Sequence, residues 1–418
     1  MRKLKVLMFG WEFPPFMSGG LGTACYGLTK GLTNKNVDVT FVMPNGPEDM
    51  KAEFVKLMIA SNLKRYNVKL KYIDTLLRPY LSDTQYVREY DRYIEVLKNS
   101  NANSKVIYGK NIYEEVYRLS LAAEVIALSD EYDVIHCHDW MTFPAGIAAK
   151  KATGKPLVVH VHATEYDRGG GNGVNSQVYA MEREGMMYAD KIIAVSNFTK
   201  QKLINNYFIP EEKITVVHNA VEFSEEKKFD IKQHEKVVLF LGRLTLQKGP
   251  DYFIEAAKKV LDYDPDVKFI IAGNGDMEAK IVDRVAQLGI GNKVLFAGFV
   301  SGPDVDRAYQ AADLYVMPSV SEPFGITPLE ALRNNVPVII SKQSGVSEVL
   351  KNALKVDFWD VDELANKIIS VLNYRSLHKD LSKHGLMEVH TFSWNIPAGK
   401  CIEVYNLVIS EKNNEIKI

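Results

Sequence analysis

Two glutamates, Glu322 and Glu330, stand eight positions apart around a Phe324-Gly325-Ile326 turn, and Arg243 and Lys248 stand five apart in a single loop. A carboxylate accepts from hydroxyl groups, and its two oxygens can span a diol. An Arg–Lys pair suits phosphate oxygens, with Arg as a planar fork and Lys as a point charge. Each has a plainer reading: a solvated surface carboxylate for Glu322, and an exposed basic turn for Arg243 and Lys248. For Glu330 the alternative is a capping box, with Thr327 as helix N-cap, Pro328 in the first helical position and Glu330 bonding back to the Thr327 N–H. A third set is His136-Cys137-His138-Asp139-Trp140 with His160-Val161-His162. These histidines resemble metal ligands only loosely, because no helical HExxH or Cys/His box accompanies them. His136 and His138 share one strand face, so one of them needs only to be a buried, hydrogen-bonded core residue.

The elements that must position these residues follow a repeated grammar. Val6–Phe9 reads as a strand, Gly19-Gly20 as a turn, Leu21, Cys25, Leu28 and Leu32 as a helix face, and Val37–Met43 as the next strand. This is the opening unit of a doubly wound α/β domain, without the GxGxxG of a dinucleotide site or the Lys-Ser/Thr of a phosphate-loop ATPase. The double glycine lets backbone N–H groups approach an anion, or simply makes a turn. The polar clusters at His136–Trp140 and His160–Tyr166 both follow apolar runs, as at the carboxyl ends of parallel strands. Lys191–Val195 and Ile214–Val217 continue the sheet, and the charged stretch Glu222–Glu235 reads as a linker.

A second cycle then begins. Val237–Leu241 precedes the Arg243–Lys248 loop, Lys268–Ala272 precedes Gly273-Asn274-Gly275, and Leu314–Met317 precedes the Pro318–Val336 stretch. The division expected is 1–225 for a first Rossmann-like domain, 226–393 for a second, and 394–418 for a helix that packs back on the first. Three anion-friendly loops in a two-domain cleft point to a diphosphate held between the domains. The tyrosine-rich segment from about residue 45 to 121 and the Gly169–Gly173 loop are either substrate contacts or ordinary surface.

At 418 residues, with 46% apolar and 25% charged residues and a net charge of −1, the chain fits a two-domain globular protein. The charge balance gives no support to a nucleic-acid binder. Cys25, Cys137 and Cys401 form no metal-spaced set and suit a reducing cytoplasm. Neither a signal peptide nor a spanning apolar run is evident, so a cytoplasmic location is expected.

Together, Ser18-Gly19-Gly20-Leu21-Gly22, His136–Trp140, Arg243 with Lys248, and Glu322-Pro323-Phe324-Gly325 with Glu330 resemble the retaining GT-B glycosyltransferases. The likeness is greatest to glycogen/starch synthase-like members of glycosyltransferase family 4, and it covers nearly the whole chain. It implies two Rossmann-like domains facing a cleft, and transfer of a hexose from a nucleoside-diphosphate sugar with retention. By that resemblance Glu322 and His162 contact the donor sugar, while Arg243 and Lys248 neutralise the departing diphosphate. Gly19, Gly20 and the amides of Gly325, Ile326 and Thr327 bind its oxygens. Glu330 holds the ribose, Asp139 lines the sugar or acceptor side, and Gly273 and Gly275 border the base. Met17-Ser18 replaces the synthases' usual lysine-threonine, and Glu330 is present where synthases often lack it, so strict glycogen synthase identity does not follow. The expected donor is ADP- or UDP-glucose and the expected acceptor an α-glucan, with no cofactor or metal required. The alternatives are a family-4 transferase making a disaccharide or decorating a surface polysaccharide or lipid, and, remotely, a non-catalytic sugar-nucleotide or glycan sensor.

Overall fold

The computed structural model describes residues 2–14, 19–44, 54–60, 112–170, 173–223, 229 and 235–415. The first domain comprises β1 (Lys5–Phe9), α1 (Gly20–Asn34), β2 (Asp38–Met43), β3 (Lys56–Ile59), α2 (Ile112–Leu128), β4 (Val134–His138) and α3 (Phe143–Thr153). It continues through β5 (Leu157–Val161), α4 (Glu165–Arg168), α5 (Ser176–Tyr188), β6 (Lys191–Ala194), α6 (Asn197–Tyr207) and β7 (Ile214–Val216). Its seven strands lie in the order β3-β2-β1-β4-β5-β6-β7, every pairing parallel.

The second domain runs through β8 (Lys236–Leu241), α7 (Pro250–Tyr263), β9 (Val267–Ala272), α8 (Glu278–Gln287), β10 (Val294–Gly298), α9 (Pro303–Gln310) and β11 (Leu314–Met317). Then come α10 (Thr327–Arg333), β12 (Val338–Ser341), β13 (Leu354–Val356), α11 (Val361–Asn373) and α12 (Arg375–Val389). Its sheet order is β10-β9-β8-β11-β12-β13, again parallel throughout.

Helices cover both faces of a parallel sheet, so its inner strands are apolar on both sides. Accordingly β4, β5 and β11 are buried along their whole length. Strand order reverses between β1 and β4 in the first sheet and between β8 and β11 in the second. These are the switch points where adjoining loops diverge and leave a crevice at the carboxyl edge.

The last helix, α13 (Asn395–Glu415), returns to the first domain. Trp394, just before it, lies so close to α1 that a Cβ at Gly27 would stand 2.2 Å from the indole ring. Farther along, the buried Tyr405 hydroxyl meets His136 Nδ1.

Candidate functional site

The loop after β8 carries Arg243 and Lys248, and the loop after β11 carries Glu322. Lys248 Nζ donates to Glu322 Oε2 at 2.5 Å, and the Ser319 hydroxyl donates to the same oxygen at 3.2 Å. Lys248 is about one-fifth exposed and Glu322 less than one-tenth, so the pair is largely withdrawn from solvent. Gln247, buried between them, ties the two loops together. Its backbone oxygen accepts from Val320 N at 2.9 Å, its side-chain Nε2 donates to Ser321 O at 3.1 Å, and its Oε1 accepts from Arg243 Nη2 at 3.4 Å.

A third loop closes against this one. Leu244 N donates to Asn274 O at 3.0 Å. Gly273 has φ +137, and a Cβ there would stand 1.9 Å from Gly242 O; at Gly275 it would stand 2.2 Å from Leu244 O. Both glycines are thus required by the packing of one loop on the next.

Gly325, at φ +102, makes the turn into α10. The capping box, one of the two readings of that spacing, does not form. Ile326 is the N-cap and Thr327 the first helical residue, which moves Pro328 to the second position. The Thr327 hydroxyl instead accepts from the Tyr315 hydroxyl at 2.8 Å. Glu330 Oε2 accepts from the Tyr309 hydroxyl at 3.0 Å. Burial raises the Glu330 pKa above the usual carboxylate range, against the opposing pull of Arg333 and the Tyr309 hydrogen bond. A buried tyrosine two elements away has taken the carboxylate that local spacing assigned to the helix start.

In the first domain Asp139 follows β4 with φ +59, a left-handed conformation that Asp tolerates better than most residues. Its Oδ1 accepts from His162 N at 2.6 Å and Ala163 N at 3.3 Å, so this carboxylate holds the end of β5 in place. His162 Nε2 lies 2.9 Å from His138 Nδ1. Burial lowers the His162 pKa, with Asp139 pulling it back up. Burial also keeps His136, His138 and His160 neutral, His136 being pushed down to about 3, with neighbouring histidines adding to the effect. Gly19 and Gly20 begin α1 with open space where their Cβ atoms would be, while Ser18 lies outside the described residues.

The two domains meet directly across the cleft. Lys202 of α6 donates to Asp167 and to the Ser321 hydroxyl, which itself donates to Asp167 Oδ1 at 2.6 Å. The Ser196 hydroxyl donates to Pro323 O at 2.5 Å. Glu348 accepts from Asn197 N at 2.9 Å and Phe198 N at 2.6 Å, capping α6 from the opposite domain, and also lies 3.1 Å from His218 Nε2. First-domain side chains therefore grip the segment that carries Glu322. Gln247, Ser196, Lys202, Asp167 and Glu348 were not marked by sequence, since each is an ordinary polar residue until the two domains are brought together. His160 already belonged to the histidine set read from the sequence, and the structure adds that the two His-x-His strands pair in register, His138 opposite His160.

Of the tyrosines in the tyrosine-rich segment, Tyr113 is described and accepts from Asn175 Nδ2 at 3.2 Å, and Tyr117 is exposed. Tyr80, Tyr86, Tyr90, Tyr93 and Tyr108 lie outside the described residues.

Two parallel α/β domains with polar loops at both switch points define a two-domain, doubly wound architecture. Residues 5–212 match the starch synthase catalytic domain family, and residues 221–386 match glycosyl transferases group 1. An uncharacterized glycosyltransferase of Methanocaldococcus jannaschii is 32% identical, over 97% of this chain and 99% of that one. Glycogen synthase of Mycobacterium tuberculosis is 23% identical over 96% of this chain and 94% of its own. Among solved structures, sucrose-phosphate synthase of Thermosynechococcus elongatus superposes with a TM-score of 0.75 at 16% identity, covering 98% of this chain and 100% of that one. The chain belongs to the glycosyltransferases, in their GT-B fold and among the glycogen- and starch-synthase-like members. No helix among the described residues is long and apolar enough to cross a membrane.

Proposed function

We propose that this chain is a retaining, cytoplasmic glucosyltransferase that moves glucose from ADP- or UDP-glucose onto an α-glucan. Residues 1–225 would present the acceptor, 226–393 would hold the donor, and 394–418 would tie the second domain back to the first. The observation that carries this reading is the Lys248–Glu322 pair at the adjoining ends of β8 and β11. A cation suited to the diphosphate and a carboxylate suited to sugar hydroxyls stand side by side, where a bound donor would separate them and engage each. The similarity to a glycogen synthase over nearly the whole chain supports the glucan acceptor.

Breaking the bond between the sugar carbon and the phosphate oxygen leaves an oxocarbenium-like sugar and a more negative diphosphate. Arg243 and Lys248 oppose that developing charge, assisted by the amides at Gly20 and at Gly325–Thr327. Such contacts stabilise the transition state more than the ground state. A diphosphate oxygen on the same face takes the proton of the attacking acceptor hydroxyl, which retains the anomeric configuration. His162 and Glu322 orient the sugar, Glu330 holds the ribose, and the charge is met by side chains without a metal ion at the cleft. Contacts such as Lys202 with Ser321 bring the domains together and limit attack by water.

The test is incubation of the purified protein with each sugar nucleotide and glycogen, following nucleoside diphosphate release and the anomeric configuration of the product. Release with ADP- or UDP-glucose that depends on glucan is expected. Absence of release with every donor and acceptor would defeat the reading.

A further inference from the structure

His136, His138 and His160 make an anomaly that neither the fold nor the cleft uses. All three are buried, none more than 2% exposed, on the face of β4 and β5 that α13 covers. Yet four of their ring nitrogens, His136 Nε2, His138 Nε2 and both nitrogens of His160, lack any hydrogen-bond partner. Burying a polar group without a partner is costly, so a native core collects several at one point only when something else satisfies them.

We propose that these three histidines form a buried site for one divalent transition-metal ion of the zinc class. One ring nitrogen from each lies within 4.8 Å of the other two. The set contains imidazole alone, since Cys137, between the first two, turns to the opposite face against Gly146. Uncharged imidazole ligands suit zinc, cobalt, nickel or copper, and do not suit calcium or magnesium.

Two of the three histidines, His136 and His138, have the backing that ligating histidines usually have. His136 engages the Tyr405 hydroxyl through Nδ1, and His138 engages His162 through Nδ1, leaving Nε2 free in both. A hydrogen bond on one ring nitrogen that orients the other is the common outer shell of a metal-bound histidine. The rings now lie nearly parallel, 19–28° apart in plane. Loading would turn them about their Cβ–Cγ bonds until each nitrogen stands about 2.0–2.1 Å from the ion. The ion would join β4 to β5 and, through Tyr405, to α13. It would sit one ring behind His162, out of reach of a donor in the cleft. Its role is structural and does not depend on the transfer reaction proposed above.

The experiment uses tag-free full-length protein purified without chelator. Metal content is measured by mass spectrometry, and the chelator-stripped protein is titrated with cobalt(II) and zinc(II) while visible absorption and Tm are followed. About one ion per chain, cobalt ligand-field bands that saturate at one equivalent, and a Tm rise with zinc are expected. His160→Gln and His136→Gln should each abolish the bands. Substoichiometric metal as isolated, together with no cobalt bands in the wild type, would overturn the proposal. So would bands that persist in a folded His160→Gln protein. Should the variants fail to fold, the wild-type cobalt titration decides alone.

Discussion

Lys248 Nζ and Glu322 Oε2 meet at 2.5 Å although 74 residues separate them in the chain. Each side chain satisfies the other, so the pair holds both near the positions that the proposed reaction would need. Of the two, Lys248 is the one that faces the growing charge in the proposed reaction. Lys248→Ala should therefore lower kcat about 100- to 1000-fold, in the range for losing one charge-stabilising donor. Its circular dichroism should stay close to wild type, while Tm falls to the extent that the nearly buried Glu322 carboxylate is left without its cation. Near-normal turnover would remove Lys248 from the chemistry.

Glu330 gives a contrasting expectation. Its proposed partner, the ribose, does not change during bond breaking, so the contact is uniform binding. Glu330→Gln should raise the donor KM by about tenfold, since a hydrogen bond to a charged group contributes about 1.5–3 kcal/mol, while kcat moves little. Tyr309→Phe should have a smaller effect of the same kind. Steady-state kinetics with the donor varied distinguishes the two parameters.

Glu348 couples domain contact to pH. Burial alone would raise its pKa, but His218, the Asn197 and Phe198 amides and the Asn197 side chain outweigh burial and lower it below 4.5. A lowered folded-state value means that the unfolded chain binds the proton first as pH falls. The stabilisation is thus fully present above 4.5 and disappears as pH drops through the folded value. Glu348→Gln should lower Tm at neutral pH and converge with wild type in acid. Parallel Tm–pH curves for the two proteins would show that the ionised carboxylate contributes nothing.

Gly27 tests the return of the chain to the first domain. Any side chain there meets Trp394, so Gly27→Val should destabilise by about 1–3 kcal/mol through overpacking, read as a lower urea midpoint. Combining it with Trp394→Ala should recover part of the loss if the two groups share the same space. Strictly additive effects would place the strain elsewhere.

The inner strands were legible in the sequence because strands buried on both faces must be apolar along their length. Val6–Phe9, Leu157–Val161 and Leu314–Met317 stand out for that reason. The edge strands Lys56–Ile59 and Leu354–Val356 escaped notice, since they are short and only partly buried. Arg243, Lys248 and Glu322 were legible as charged residues in loops that follow apolar strands, but only the folded chain brings Lys248 and Glu322 together. Thr327 and Glu330 were ambiguous, since three-residue spacing serves a cap as well as a ligand. Tertiary structure settled their hydrogen bonding by bringing Tyr315 and Tyr309, from other elements, to the two side chains. The grip of Lys202, Ser196 and Glu348 on the opposite domain, and the gathering of His136, His138 and His160, depend on strand order and domain approach. Hydrophobic periodicity carries no information about either, because it records which face of an element is buried and not which element covers it.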